Sequence, residues 1–194
     1  MANRRTRGMT GSDLSKTTVA IAKQLHHECS ILLELYRKRE SFTEDVTDTR
    51  LVSVPPPSSQ LDTRDGLWCL HSALLQCRSL LERAIAKEDE ELGQEMKGEY
   101  ETQRNTVKER LSILLTHTGE LLKAVDSKAI LTPSSLELDD PTVVFELKLW
   151  IYRIFTEVGY WAKTAITTLQ GLPSVMAKER ARTMRVRSMR RTRR

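Results

Sequence analysis

His26, His27, Glu28 and Cys29 form a run of metal-ligating side-chain types. Two imidazoles, a carboxylate and a thiol are donors that zinc accepts. Their spacing speaks against a site, because adjacent residues of a helix point to different faces. The run reads as a solvated helix face carrying one core cysteine, and Cys69 with His71 is an equally weak pair. Glu88, Asp89, Glu90 and Glu91 make an acidic run of the kind that solvates a helix end. The sequence holds no glycine-rich phosphate loop and no nucleophile elbow. The chain therefore reads as a non-enzyme, with no cofactor or metal expected.

Composition points the same way. The 194 residues are rich in charge and poor in aromatics, glycine and proline, which favours helices and one domain. The charge is unevenly placed. Arg4, Arg5 and Arg7 open the chain, and residues 177–194 hold nine Lys or Arg against Glu179 alone. Setting those two ends aside leaves 19 basic and 25 acidic residues out of 31 and 26, so the body carries −6. The opening has the cations of a signal peptide without its apolar core. No apolar run approaches the roughly 20 residues that span a bilayer, so no membrane insertion is expected. A cytoplasmic protein without a conventional exit route is the expectation. Of the three cysteines, Cys69 and Cys77 would lie about 12 Å apart along one helix, too far to bridge. At most one disulfide, to Cys29, is open to them, and three free buried thiols are expected.

Four amphipathic stripes organise the chain. After Ser12, a candidate N-cap, Leu14, Thr18, Ile21, Leu25, Cys29, Leu32 and Tyr36 recur at steps of three and four. The second stripe, from about Arg64 to Glu91, holds Leu67, Leu70, Leu74, Cys77, Leu81 and Ile85. Gly93 and Gly98 mark a break before the third, which carries Val107, Leu111, Leu114, Thr118, Leu121 and Val125. Asp140 and Pro141 read as the start of the fourth, on which Leu147, Ile151, Ile154, Val158, Trp161, Ala165 and Leu169 fall; Gly171 and Pro173 are expected to end it. The first and third connections are long enough to run back along a helix of about 40 Å, and the second is not. An all-α, up-up-down-down four-helix bundle with two long crossover loops is expected; the alternative is a simple up-down bundle, for which loops of this length would need a reason. The bundle spans residues 12–172, between a basic flexible segment, 1–11, and a basic disordered tail, 173–194.

Two features remain. The tail could hold heparan sulfate or neutralise phosphates, or it could have no partner; it has no aromatic residue for base stacking. On the fourth helix, Phe145 lies about 150° from the centre of the core stripe and Lys148 about 90° from it. Phe145 either packs under the preceding loop and closes the end of the bundle, or stands in solvent beside Lys148.

The stretches "FELKLWIYRIFTEVGYW" (145–161) and "LLELYRKRES" (32–41) resemble the fourth helix and the end of the first helix of the ciliary neurotrophic factor family of interleukin-6-type cytokines. The likeness runs loosely from about Ser12 to Leu172. It implies a neurotrophic cytokine that acts outside the cell after unconventional release, by assembling cell-surface receptors. The family's Phe-x-x-Lys motif, which contacts the leukaemia inhibitory factor receptor, falls on Phe145 and Lys148. The resemblance thus implies an outward receptor anchor rather than a loop-packing residue. For the shared interleukin-6-type signalling receptor, elimination together with the resemblance implies the outer faces of the first and third helices. These carry Lys16, Lys23, His27, Ser30 and Arg37, and Arg104, Lys108, Ser112 and Thr116. The family's alpha-subunit site uses a charged pair late in the fourth helix and a loop tryptophan. This chain has Thr164, Thr168 and Leu61 there, which implies the ciliary neurotrophic factor receptor alpha subunit or a related one. The competing expectation is an intracellular helical adaptor or nucleic-acid-associated protein working through the basic tail.

Overall fold

A computed structural model describes residues 11–42, 50–58, 61–91, 98–126 and 143–191, with side chains from 13 to 171 among them. Four helices, α1 (Gly11–Glu40), α2 (Thr63–Glu91), α3 (Glu99–Val125) and α4 (Val144–Arg191), form an all-α four-helix bundle. Ser12 lies one residue inside α1 rather than capping it. Asp140 and Pro141 fall outside the described residues, as does the segment 1–10.

Helix ends follow local chemistry. Asp62 caps α2, its Oδ1 accepting the Asp65 N–H at 2.8 Å. Gly98 precedes α3 at φ 154°, a backbone shape that side chains disfavour. α1 stops at Ser41, whose φ of 55° is left-handed, and the Phe42 N–H then donates to the Arg37 carbonyl at 3.2 Å. That is a Schellman ending with serine where glycine is usual. Its left-handed turn seats the Phe42 ring 6.1 Å from Tyr36 and 5.7 Å from Tyr152.

Each helix buries the stripe that its sequence marks. Ile21, Leu25, Leu32, Leu67, Leu74, Leu111, Leu121, Ile151, Val158 and Trp161 all belong to one core, with Leu14 and Val125 half-buried at its edges. Each fully buried leucine contributes on the order of 2 kcal/mol, several times the helix-propensity differences along these segments. α4 is buried over a wider arc than its stripe, because Trp150, Tyr152 and Phe155 are also inside. The crossover after α1 contributes as well. Val52 is buried, and the Ser53 N–H donates to Gln76 Oε1 at 3.1 Å. Arg50 lies 3.2 Å from the centre of the Tyr160 ring and pairs with Glu157 at 3.7 Å.

α1 and α2 each pack on both α3 and α4. Tyr36, late in α1, donates its hydroxyl to the Lys148 carbonyl, early in α4, at 3.1 Å. Gln103, early in α3, donates to Glu28 Oε2 of α1 at 2.6 Å. Arg83, late in α2, lies 5.8 Å from the centre of the Trp150 ring of α4. Arg64 at the start of α2 pairs with Asp126 just past the end of α3 at 2.9 Å.

Two expectations are corrected. α4 does not end at Gly171 and Pro173 but continues to Arg191. Pro173 removes one backbone donor, a cost of about 3 kcal/mol, and the following Met, Ala, Lys, Glu and Arg positions are among the stronger helix formers. The thiols are not all buried: Cys29 and Cys77 are, whereas Cys69 is half-exposed. Burial first, then Glu28, pushes the Cys29 thiol up to about 12, and burial raises Cys77 and Cys69 too. Thiols held protonated in this way are poor nucleophiles.

His71 is buried between α2 and α3, its Nδ1 2.9 Å from Thr118 Oγ1. The Thr118 hydroxyl donates its one proton to the Leu115 carbonyl at 3.1 Å, so Nδ1–H is the donor to Thr118. Burial, followed by Lys123, lowers the His71 pKa from 6.5. The unfolded chain then takes up the proton first, so this contribution to stability is present above pH ~6.5 and is lost as the pH falls below it. Urea midpoints at about pH 7.5 and 5.5 are expected to drop further in the parent than in His71→Gln. Equal drops would place the acid sensitivity elsewhere.

Candidate interaction surface at one end of the bundle

Three consecutive apolar residues stand in solvent where α4 begins. Val143, Val144 and Phe145 are all exposed, Phe145 at 61%. One turn on, Leu147 and Trp150 are buried, so the helix changes character within a few residues. Lys148 lies between these zones and is half-buried. Its ammonium sits 2.6 Å from Glu40 Oε2, and its carbonyl receives the Tyr36 hydroxyl. Lys148 therefore ties the first turn of α4 to the last turn of α1.

That tie is one link of a polar chain across all four helices. Glu40 also meets Arg39 at 3.2 Å, and Arg39 reaches Glu88 of α2 at 3.3 Å. Glu88 is fully buried and takes Arg104 of α3 at 2.7 Å and the Tyr100 hydroxyl at 2.9 Å. Arg104 closes the chain on Asp89 at 2.9 Å. Burial raises the Glu88 pKa, and hydrogen bonds from Arg104 and Tyr100 hold part of that rise back. For Arg104, burial pulls the pKa down, but the bonds to Glu88 and Asp89 outweigh it and the net shift is upward. The Tyr36 and Tyr100 hydroxyls are raised, chiefly by burial and then by Glu88, and act as un-ionised donors. Tyr36 sits at the centre of this end, with its ring edge-on to Phe155 at 5.3 Å and 5.8 Å from Tyr100.

The residues assigned to the shared signalling receptor divide. Lys16, Lys23, His27, Ser30 and Arg37 are exposed on α1, and Arg37 donates to the Tyr152 hydroxyl at 2.7 Å. On α3, Thr116 is exposed, Lys108 and Ser112 are half-buried, and the Ser112 hydroxyl is turned onto the Lys108 carbonyl at 3.0 Å. Arg104 does not belong with them. It is 3% exposed and faces the bundle interior, because it lies three residues before Val107 on the same stripe.

Leu61, Thr164 and Thr168 lie at the other end. Leu61 is 42% exposed, and both threonines are half-buried, with the Thr164 hydroxyl donating to the Tyr160 carbonyl. Trp68 of α2, 49% exposed, is a further large apolar side chain in solvent, and sequence reasoning passed over it. The signal was present: Trp68 is one residue off the Leu67–Leu70 stripe and so points away from it.

The chemistry-bearing run in α1 does not converge. His27 is exposed, Cys29 is buried, and Glu28 is spent on Gln103. Among the described residues no three His, Cys, Asp or Glu side chains gather as metal ligands, and no helix is long and apolar enough to cross a membrane. The chain matches no protein-family model and no curated protein.

Proposed function

We propose that this chain is a helical cytokine of the interleukin-6 type. It acts outside the cell by bringing together the leukaemia inhibitory factor receptor, the shared signalling receptor and an alpha subunit. The observation that carries this reading is Phe145: a large aromatic at 61% exposure on the first turn of α4, two residues before the buried Leu147. Exposing a phenylalanine gains nothing for folding, whereas aromatic side chains are preferred anchors at the centre of protein interfaces. The residue pairings between helix ends support the up-up-down-down connectivity that this class requires. Separate faces then meet separate receptor chains: the start of α4, the exposed cations of α1 with Lys108 of α3, and the end that holds Leu61, Trp68, Thr164 and Thr168. No chemistry is needed, because proximity of the receptors' intracellular kinases is the output.

Surface-immobilised ectodomains of the helical-cytokine receptors test the reading, with the full chain and a chain ending at Ala177 as analytes. Retention of both forms by the leukaemia inhibitory factor receptor is the expected result. Failure of the full chain to bind any of these ectodomains would overturn the proposal. A partner lost on truncation would favour an adaptor working through the basic C-terminal segment.

A further inference from the structure

The outward side of α2 carries a straight seam of mixed side chains. Counting 100° per residue from the buried Leu70, positions 68, 72, 75, 79, 82 and 86 fall between about 120° and 200°, away from the core. Contacts on either side fix that direction. His71 and Asp89 turn to α3, whereas Gln76 and Arg83 turn to the first crossover and to α4, and the seam runs between these two flanks. Trp68 is 49% exposed, Ser79 and Ala86 are exposed, and Ser72, Leu75 and Glu82 are half-buried. Successive members are four, three, four, three and four residues apart, the alternation by which one helix seats lengthwise on another. An indole left half in solvent gains little for folding, and tryptophan is among the preferred anchors of protein interfaces.

We infer that this seam pairs with the same seam of a second copy of the chain, in an antiparallel twofold dimer. The pattern complements its own reverse about Cys77. In that register Trp68 comes level with Ala86 of the second copy, Leu75 with Ser79, and Ser72 with Glu82. Each large apolar side chain then meets a small one, and each carboxylate meets a hydroxyl that can donate to it. Parallel pairing would instead set Trp68 on Trp68 and Glu82 on Glu82, where like charges repel. The flanks agree, because a twofold that reverses the helix keeps its α3 side against the α3 side of its mate. On that side Arg64 comes level with Asp89 of the second copy, and their side chains are 61% and 55% exposed. On the α4 side Asp65 comes level with Glu90 of the second copy, whose own Lys87 lies 3.2 Å away and offsets that like charge. One helix pair is at the low end of interface sizes, so the dimer is weak and depends on concentration. The dimer does not rest on the proposed function. It leaves Phe145 and the outer face of α1 open but covers Trp68, so the receptor end that includes Trp68 is fully presented by the monomer.

Sedimentation velocity of the full chain, over a loading range of about a hundredfold up to roughly 0.5 mM, is the test. The weight-average mass is expected to climb with concentration toward that of two chains. Trp68→Ala and Ser79→Arg change exposed positions and are expected to melt with the parent, yet to weaken association by about tenfold or more. A mass that stays at one chain across the range overturns the inference, and so does unchanged association of both variants. Crosslinking with a short bismaleimide reads the register. Ser72→Cys and Glu82→Cys, each in a Cys69→Ser background, are expected to join each other faster than either joins itself. Faster self-joining of Ser72→Cys would mean a parallel pair and overturns the antiparallel dimer. Ser79→Arg is expected to bind receptor ectodomains as the parent does. A chain that dimerises but binds no ectodomain overturns the proposed function alone, so the two failures are told apart.

Discussion

Arg104→Ala is expected to destabilise the protein by about 3–5 kcal/mol, among the largest losses available to a single substitution in this bundle. The reason is Glu88. Its carboxylate is fully buried, and Arg104 is its closest cationic partner at 2.7 Å, against 3.3 Å for the partly exposed Arg39. Removing the guanidinium leaves an acid that burial already pushes toward its neutral form, together with a cavity beside Tyr100. Asp89, the other partner, is largely solvated and loses little. The paired change Glu88→Leu with Arg104→Met is expected to recover most of the loss, since apolar residues of similar volume often replace a buried ion pair at no cost. Urea unfolding of the parent, both single variants and the double variant closes the cycle. A loss under about 1 kcal/mol in Arg104→Ala would mean that water replaces the guanidinium and that the polar chain is not a structural clamp.

Arg104 also shows where a sequence is legible and where it is not. Helical register was enough to place Leu67, Leu111 or Ile151 inside, because apolar side chains have one good place to go. The same register puts Arg104 on the stripe of Val107 and Leu111, yet a lone charge there reads as solvated until its partners are known. Those partners lie on other turns and other helices. Glu88 is sixteen residues away, and Glu40 and Lys148 are more than a hundred residues apart. No periodicity reports such pairs, because only the packing of the bundle creates them. The crossover after α1 is similar. Its prolines signalled irregular chain, but nothing local said that Val52 would be buried or that Ser53 would meet Gln76. Phe145 was legible in angle and ambiguous in meaning, since a residue facing away from a core stripe can still be covered by a loop. Its exposure resolves that geometry.

Phe145 and Lys148 are expected to separate when they are changed singly, although they lie on adjacent turns. Phe145→Ala should leave stability within about 0.5 kcal/mol, because a ring exposed at 61% gives up little burial. In the proposed receptor complex the same change is expected to cost about 2 kcal/mol or more, a loss of affinity of roughly thirtyfold. Lys148→Ala should behave differently. Its ammonium faces Glu40 at 2.6 Å, and the Glu40 side chain is nearly buried at 5% exposure, so truncation strands a carboxylate at the joint between α1 and α4. A stability loss of about 1–3 kcal/mol follows, softened by the Arg39 contact that Glu40 retains. Because that joint sets the direction of the first turn of α4, receptor affinity is expected to fall with stability in Lys148→Ala and to be largely restored in Lys148→Arg. Thermal melting and binding to the leukaemia inhibitory factor receptor ectodomain, measured on the same preparations, distinguish the two roles. Early melting of Phe145→Ala would return that residue to the bundle, whereas an unchanged melt with full binding would remove it from the interface.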